Sequence, residues 1–287
     1  MPDFKIPVLL FPFILLMLSG CERNSRSGPE SGSWAETLRN GSGQLTAFYV
    51  PAEGFAWHNG DRLTGVTVDI LREFTAWAED QYGVPVGLDF RAVDDFSTFM
   101  QTVVEADEGT IGFANVTITE ERKKIMQFSP PYMNNIAVLI SHDNRAVLDR
   151  YENFRQVFSG LTALAFEGTL HETRLRNLLD EWYPEMPVEY AHSNAEIIEK
   201  TASGDTYLAY VDVYNYWRSL GDGAPLKRHE IGDEAAEQFG YILPLKSDWG
   251  PVLQEFFEHD GGFIHSAAYR GILEEHLGAG LAALLLP

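Results

Sequence analysis

Hydrophobic and polar positions along the chain switch repeatedly between a period near two and a period near 3.6. Val66–Tyr82 places Ile70, Leu71, Phe74, Trp77 and Ala78 at helical spacing, with Gly83 positioned to cap the helix. Asp95 predicts a capped helix running to about Glu105, with Phe96, Phe99, Met100 and Val103 facing inward. Between and after these, residues 44–50, 84–90, 110–114 and 136–140 read as strands. The second half repeats the style. Residues 161–166, 187–190, 206–211 and 240–243 are strand-like. Helices are predicted over 172–182, from a Ser193 cap to about Thr201, and over 213–220, 249–258 and 266–277. Strands alternating with helices of this length imply an α/β fold with parallel βαβ units. No repeat of fixed period is present.

The N-terminus carries a different pattern. Residues 6–18 are apolar throughout and follow Lys5. As a helix they would span roughly 20 Å, short of a bilayer core of about 30 Å, and Pro7 and Pro12 interrupt it. Residues 1–20 are therefore expected to be a secretory signal peptide. The run ends in Leu18-Ser19-Gly20-Cys21, which resembles the bacterial lipobox. That resemblance implies cleavage before Cys21 and lipid attachment to it, several acyl chains anchoring the protein at about 0.8 kcal/mol per CH₂. Residues 21–35 are expected to be a flexible tether, most of it polar and rich in Ser and Gly. The expected location is extracytoplasmic, on the periplasmic side, with inner or outer membrane left open.

Composition narrows the function classes. The 287 residues suit one large or two medium domains. Lys and Arg number 21 against 42 Asp and Glu, a formal charge of −21, which argues against nucleic-acid binding. The single cysteine excludes an intramolecular disulfide and a multi-cysteine metal site. There is no GxGxxG after a strand, no GxxxxGK[ST], no HExxH and no GxSxG. His171, His192 and His265 read as surface residues. No cofactor, metal site or catalytic residue is expected.

The informative stretch is 112–132, GFANVTITEERKKIMQFSPPY. A short strand ends near Ala114, and Asn115 and Thr117 then bring small hydrogen-bonding side chains into a loop. Thr117-Ile118-Thr119-Glu120 has the form of a capping box opening a short helix, with Arg122 in its first turn. Hydroxyls and free N–H groups beside a guanidinium suit a carboxylate, which arginine can hold with two parallel hydrogen bonds. A capped helix with a surface arginine is the alternative.

The same stretch resembles the signature of the family 3 extracellular solute-binding proteins, the polar amino-acid receptors of ABC importers. The resembling motifs are Thr119-Glu120-Glu121-Arg122 and Phe128-Ser129-Pro130-Pro131-Tyr132. Further matches follow the family order: Gly65-Val66-Thr67-Val68-Asp69, Phe166-Glu167-Gly168-Thr169, the YLAYVD run ending at Asp212, and the C-terminal helix with Tyr269 and Leu277-Gly278. The resemblance implies a two-lobed type II periplasmic-binding fold of Venus-flytrap form. Each lobe would be a mainly parallel sheet flanked by helices, with the ligand cleft between them. Lobe 1 would comprise 36–136 and 241–287, and lobe 2 would comprise 137–240. It also implies roles. Arg122 would clamp the ligand α-carboxylate and Asp212 would receive the α-ammonium. Thr117, Asn115 and Thr169 would add hydrogen bonds, and Phe96 would form an aromatic wall. Two departures from the family pattern stand out. Ala52-Glu53-Gly54-Phe55 lacks the usual aromatic, leaving Trp57 or Tyr49 to cover the ligand, and Leu170 stands where a second polar residue is common.

The function so implied is a lipid-anchored monomeric receptor that closes on a small polar ligand and delivers it to an ABC permease. Two alternatives stay open on the same fold. One is a sensory or cell-wall-associated binding module. The other is a dehydratase-like enzyme acting on a carboxylated small molecule, with Glu167 or Asp212 as general acid.

Overall fold

In the computed structural model, which describes residues 32–286, the first element is a helix, α1 (Trp34–Asn40). Ser33 Oγ accepts from Glu36 N while the Glu36 carboxylate accepts from Ser33 N, a complete capping box. Trp34 and Ala35, read from the sequence as the end of the tether, are thus its opening residues. The Asp248 carboxylate accepts from both of their backbone N–H groups, and Trp34 packs edge-on against Tyr82 and Trp249. The expected signal peptide and Cys21 lie outside the described residues.

The chain continues through β1 (Gly43–Tyr49), a hairpin of β2 (Trp57–Asn59) and β3 (Arg62–Thr64), α2 (Val66–Tyr82), β4 (Val86–Ala92), α3 (Phe96–Glu105), β5 (Thr110–Thr117), β6 (Met126–Phe128) and β7 (Met133–His142). Next come α4 (Phe154–Val157), β8 (Thr162–Phe166), α5 (Leu170–Trp182), β9 (Val188–Ala191), α6 (Asn194–Ala202), β10 (Tyr207–Asp212), α7 (Val213–Gly221), β11 (Leu226–Arg228) and β12 (Glu234–Pro244). The closing helices are α8 (Trp249–Glu258), α9 (Ala267–Leu277) and α10 (Ala279–Leu285). None of the described helices is long and apolar enough to cross a membrane.

Ten strands form one sheet in the order β4-β1-β5-β12-β7-β10-β8-β9, with β6 added to β12 and β11 to β7. Its two ends are parallel, as the alternation of strands and helices predicts: β1 lies between β4 and β5, and β8 between β10 and β9. The middle is antiparallel. Strands β7 and β12 pair with each other from Glu234↔Ala137 to Phe239↔Met133. Beyond that segment β12 pairs with β5 and β6, and β7 pairs with β10 and β11. These two long strands therefore carry the chain between two α/β halves.

Helices cover the sheet with the faces their spacing predicts. In α2, Ile70, Leu71 and Phe74 are buried, and they pack in one cluster with Leu45, Ala47, Ile111 and Phe113 of the sheet and Trp249, Phe256, Tyr269 and Leu273 of the closing helices. A second cluster gathers Leu139, Phe154, Phe158, Leu175 and Leu179 in the other half. Gly65, which precedes α2, has φ +125°, and a Cβ there would stand 2.3 Å from the Phe55 carbonyl oxygen. Only glycine lets the β3–α2 turn pass so close to the loop after β1.

Candidate functional site

A cavity of about 500 Å³ opens where the C-terminal ends of β1, β5, β8 and β10 meet helices α3, α5, α6 and α7. Such a position is where open α/β folds take ligands. Six of the side chains expected at the site line it: Arg122, Asp212, Thr117, Asn115, Thr169 and Phe96. Trp57 does not. An Ala52–Ala56 bridge closes the loop after β1, so Trp57 falls beyond it in the β2–β3 hairpin, and Ala52 and Glu53 line the cavity instead. Tyr49 is also withdrawn, buried and stacked on Phe113 at 5.7 Å.

Arg122 opens a single 3-10 turn, Arg122–Lys124. The expected capping box at Thr117 is not formed, because Thr117 still belongs to β5. Thr119 caps instead, its Oγ1 accepting from Arg122 N at 3.2 Å. The guanidinium donates from Nη1 to the Thr117 carbonyl at 2.9 Å and lies 5.6 Å from the centre of the Phe96 ring. No carboxylate pairs with it among the described residues. Burial pulls its pKa down to about 10, with the Glu237 charge opposing that shift and the Arg174 charge adding to it. It thus remains charged at neutral pH and keeps donors free for an anion.

Asp212 ends β10 and is 7% exposed. It makes no capping bond to α7. Its Oδ1 accepts from Asn135 Nδ2 at 2.6 Å and lies 3.1 Å from His171 Nε2. Asn115 holds φ +52°, a left-handed conformation that asparagine tolerates better than most residues. Its Oδ1 accepts from Tyr132 at 3.0 Å and its Nδ2 donates to Tyr214 at 3.4 Å. Burial, then the Asp212 charge, raises the Tyr214 pKa and keeps its hydroxyl protonated. Thr169 Oγ1 donates to the Phe166 carbonyl at 2.7 Å rather than capping α5. The opening N–H groups of α5 therefore lack a side-chain cap where Thr169, Leu170 and His171 line the cavity, which favours negative charge there.

Several residues that the pattern did not single out belong to the same region. His171, expected at the surface, is buried beside Asp212 because it sits on the inward face of the first turn of α5, whereas His192 and His265 are exposed. Glu53 and Arg218 pair at 2.6 Å across the rim, and Phe55 and Tyr214 rings stand 4.4 Å apart beneath them. Buried Asn135 and Glu237 interrupt β7 and β12 strands that are otherwise apolar at the buried positions around them. Polar side chains on buried strand positions are the signal that could have found them. Among the described residues no group of three His, Cys, Asp or Glu side chains is arranged to hold a metal ion.

The architecture recurs in solved structures. An ancestral arginine-binding protein bound to arginine superposes with a TM-score of 0.65 at 19% identity, covering 82% of this chain and 98% of that one. The arginine-, lysine-, histidine-binding protein ArtJ from Geobacillus stearothermophilus gives 0.64 at 18% identity, covering 82% and 95%. The ancestral amino acid-binding protein AncCDT-1, a precursor of cyclohexadienyl dehydratase, gives 0.62 at 18%, covering 85% and 98%. These likenesses show a shared two-lobed fold. No curated protein sequence matches the chain. Residues 45–240, which carry both Arg122 and Asp212, match the family model of the bacterial extracellular solute-binding proteins, family 3, and the chain belongs to that family.

Proposed function

We propose that the chain is an extracytoplasmic receptor for a small zwitterion, an amino acid or a close relative, which it delivers to an ABC importer. One observation carries the reading: an unpaired guanidinium, Arg122, and a buried carboxylate, Asp212, line the same cavity. Arg122 clamps the ligand carboxylate, helped by Thr117, Thr169 and the N-terminus of α5. Asp212 receives the ammonium, and Phe96 supplies an apolar wall. Lobe 1 is 36–136 with 241–287 and lobe 2 is 137–240, so the two charged groups stand on different lobes. A zwitterion touching both favours the closed form, because only that form makes both contacts, and a permease can read the shape. The structural relatives described as binding arginine or other amino acids support this class of ligand. Residues 1–20 act as the signal peptide and Cys21 carries the lipid that holds a monomeric receptor at the membrane.

The chain in this reading binds and releases its ligand unchanged, so incubation with a prephenate-like ring acid yields no product. The deciding experiment is a thermal-shift screen against the proteinogenic L-amino acids and related zwitterions. A true ligand at 100 times its Kd adds about 2.7 kcal/mol of stability. Arg122→Ala weakens its binding by about 2–5 kcal/mol, the cost of truncating one partner of a buried charge pair. Failure of every amino acid and related zwitterion to raise Tm, or unchanged affinity in that variant, overturns the reading.

A further inference from the structure

Asp212 is one member of a closed ring of polar side chains, four of them buried and the fifth, Arg174, partly buried. Asn135 Nδ2 donates at 2.6 Å both to Asp212 Oδ1 and to Glu237 Oε2. Glu237 Oε1 accepts from Arg174 Nη2, and Arg174 Nη1 lies 3.4 Å from His171 Nδ1. His171 Nε2 closes the ring on Asp212 Oδ1 at 3.1 Å. Asn135 and Glu237 face each other on β7 and β12, the two strands that run between the halves. Of the five side chains only Asp212 and His171 line the cavity.

The partners fix the state of the imidazole. Arginine has no acceptor, so His171 Nδ1 must be the bare nitrogen and Nε2 must carry the hydrogen directed at Asp212. The ring then holds two carboxylates and one guanidinium, and because Arg174 pairs with Glu237, the Asp212 charge at the cavity wall has no cation of its own within the ring. Other groups facing His171 do not cancel it. On α5, Glu172 is turned away to Gly168 N and Arg176. On β10, the Tyr210 ring stacks parallel to the imidazole at 6.4 Å. On β12, Glu237 is engaged by Arg174 and its charge also favours that of Arg122, Tyr214 of α7 is a neutral phenol, and Arg122 forms no ion pair with Asp212.

We propose that His171 is a positioning residue that reserves Asp212 for the ligand ammonium and makes binding proton-linked. This deepens the receptor reading and rests on it. The Asp212 charge is neutralised either by a proton on His171 Nδ1 or by the ammonium of the bound zwitterion. A protonated imidazole repels that ammonium and also turns an N–H toward the Arg174 donors, breaking the ring at that link. Binding to the protonated form therefore expels one proton from Nδ1 to solvent. In the acidic limit, each unit of falling pH weakens amino-acid binding by up to about tenfold.

Two measurements on the chain test this. With no solute added, ¹⁵N NMR of the imidazole near pH 8 should show His171 with hydrogen on Nε2 and a bare Nδ1. The opposite tautomer overturns the proposal. Thermal-shift titrations with the proteinogenic L-amino acids and related zwitterions are then compared at about pH 7.5 and about pH 5.5. Any that binds should show a Kd at least several-fold weaker at the lower pH. His171→Gln, whose amide can still donate to Asp212, should flatten that dependence. His192→Gln, which alters an exposed cavity imidazole paired with Glu167, should retain it. Binding that is equal at both pH values in the unmodified chain overturns the proposal while leaving the receptor reading intact. Binding of no amino acid or related zwitterion at either pH overturns both. Should His171→Gln fail to fold, the unmodified chain still decides through its tautomer and its pH dependence.

Discussion

A guanidinium is basic enough to keep its charge at neutral pH even where burial lowers its pKa, and at Arg122 the Glu237 charge adds to that without a direct ion pair. The result is a cation poised for an anion from outside the chain. Asn115 illustrates the other way a single residue builds the site. Its strained backbone persists because Tyr132 and Tyr214 hold its side chain from two directions. Asn115→Ala loses both hydrogen bonds and keeps the strain, so it should lower unfolding stability by about 1–3 kcal/mol in urea titrations. Four cavity-lining positions were legible in the sequence, Arg122, Thr117 and Asn115 because they lie within one short loop, and Asp212 through the resemblance of the strand it ends. The polar ring behind Asp212 was not legible. Its hydrogen bonds join residues 77 and 102 positions apart, and no local period encodes them. Trp57 was misplaced for a related reason: the closed loop between Ala52 and Ala56 diverts the chain before it can reach the cavity.

Among the elements, α2, α3 and α8 match the sequence reading because each couples a one-sided apolar face to a clear terminus. Strand β12 begins earlier than the sequence predicts, since Glu234, Glu237 and Gln238 are polar, Ala235 and Ala236 have little strand preference, and the segment owes its strand form to pairing with β7. The capped helix α1, the β2–β3 hairpin and the short strands β6 and β11 likewise were not anticipated. Two predictions belong to this scale. Gly65→Ala drives a methyl group into the Phe55 carbonyl at a positive φ, and should cost about 1–3 kcal/mol of stability by thermal or urea unfolding. His229, after β11, is fully buried, with Nδ1 accepting from Leu148 N at 3.0 Å and Nε2 2.8 Å from Ser141 Oγ. Burial, then the Lys227 charge, pushes its pKa down to about 4. An unfolded histidine titrates near about 6.5, so between these values the unfolded chain takes up a proton that the folded chain refuses. The contribution of His229 to stability is therefore complete above about pH 6.5 and is lost as pH falls toward 4, about 3 kcal/mol in all. Unfolding free energies measured across that range should show the loss, and His229→Asn should make it shallower.

At the scale of the whole molecule, two α/β halves share one sheet through β7 and β12, and the same two strands carry Asn135 and Glu237 of the ring behind Asp212. In the receptor reading proposed above, the ammonium site is thereby tied to the strands that join the two halves. The rim contacts, Glu53 with Arg218 and Phe55 with Tyr214, join the loop after β1 to α7 across the cavity mouth. The ion pair is partly exposed and contributes on the order of 0.2–1 kcal/mol, while the aromatic pair beneath it is buried. In the receptor reading proposed above, a ligand that satisfies Arg122 and Asp212 at once adds to these contacts. The most direct measurement is a crystal structure of the chain with the amino acid that raises its Tm most. The account predicts the ligand carboxylate within about 3 Å of the Arg122 guanidinium nitrogens and its ammonium within about 3 Å of an Asp212 carboxylate oxygen. A ligand bound elsewhere, or one that leaves either of these two side chains untouched, contradicts it.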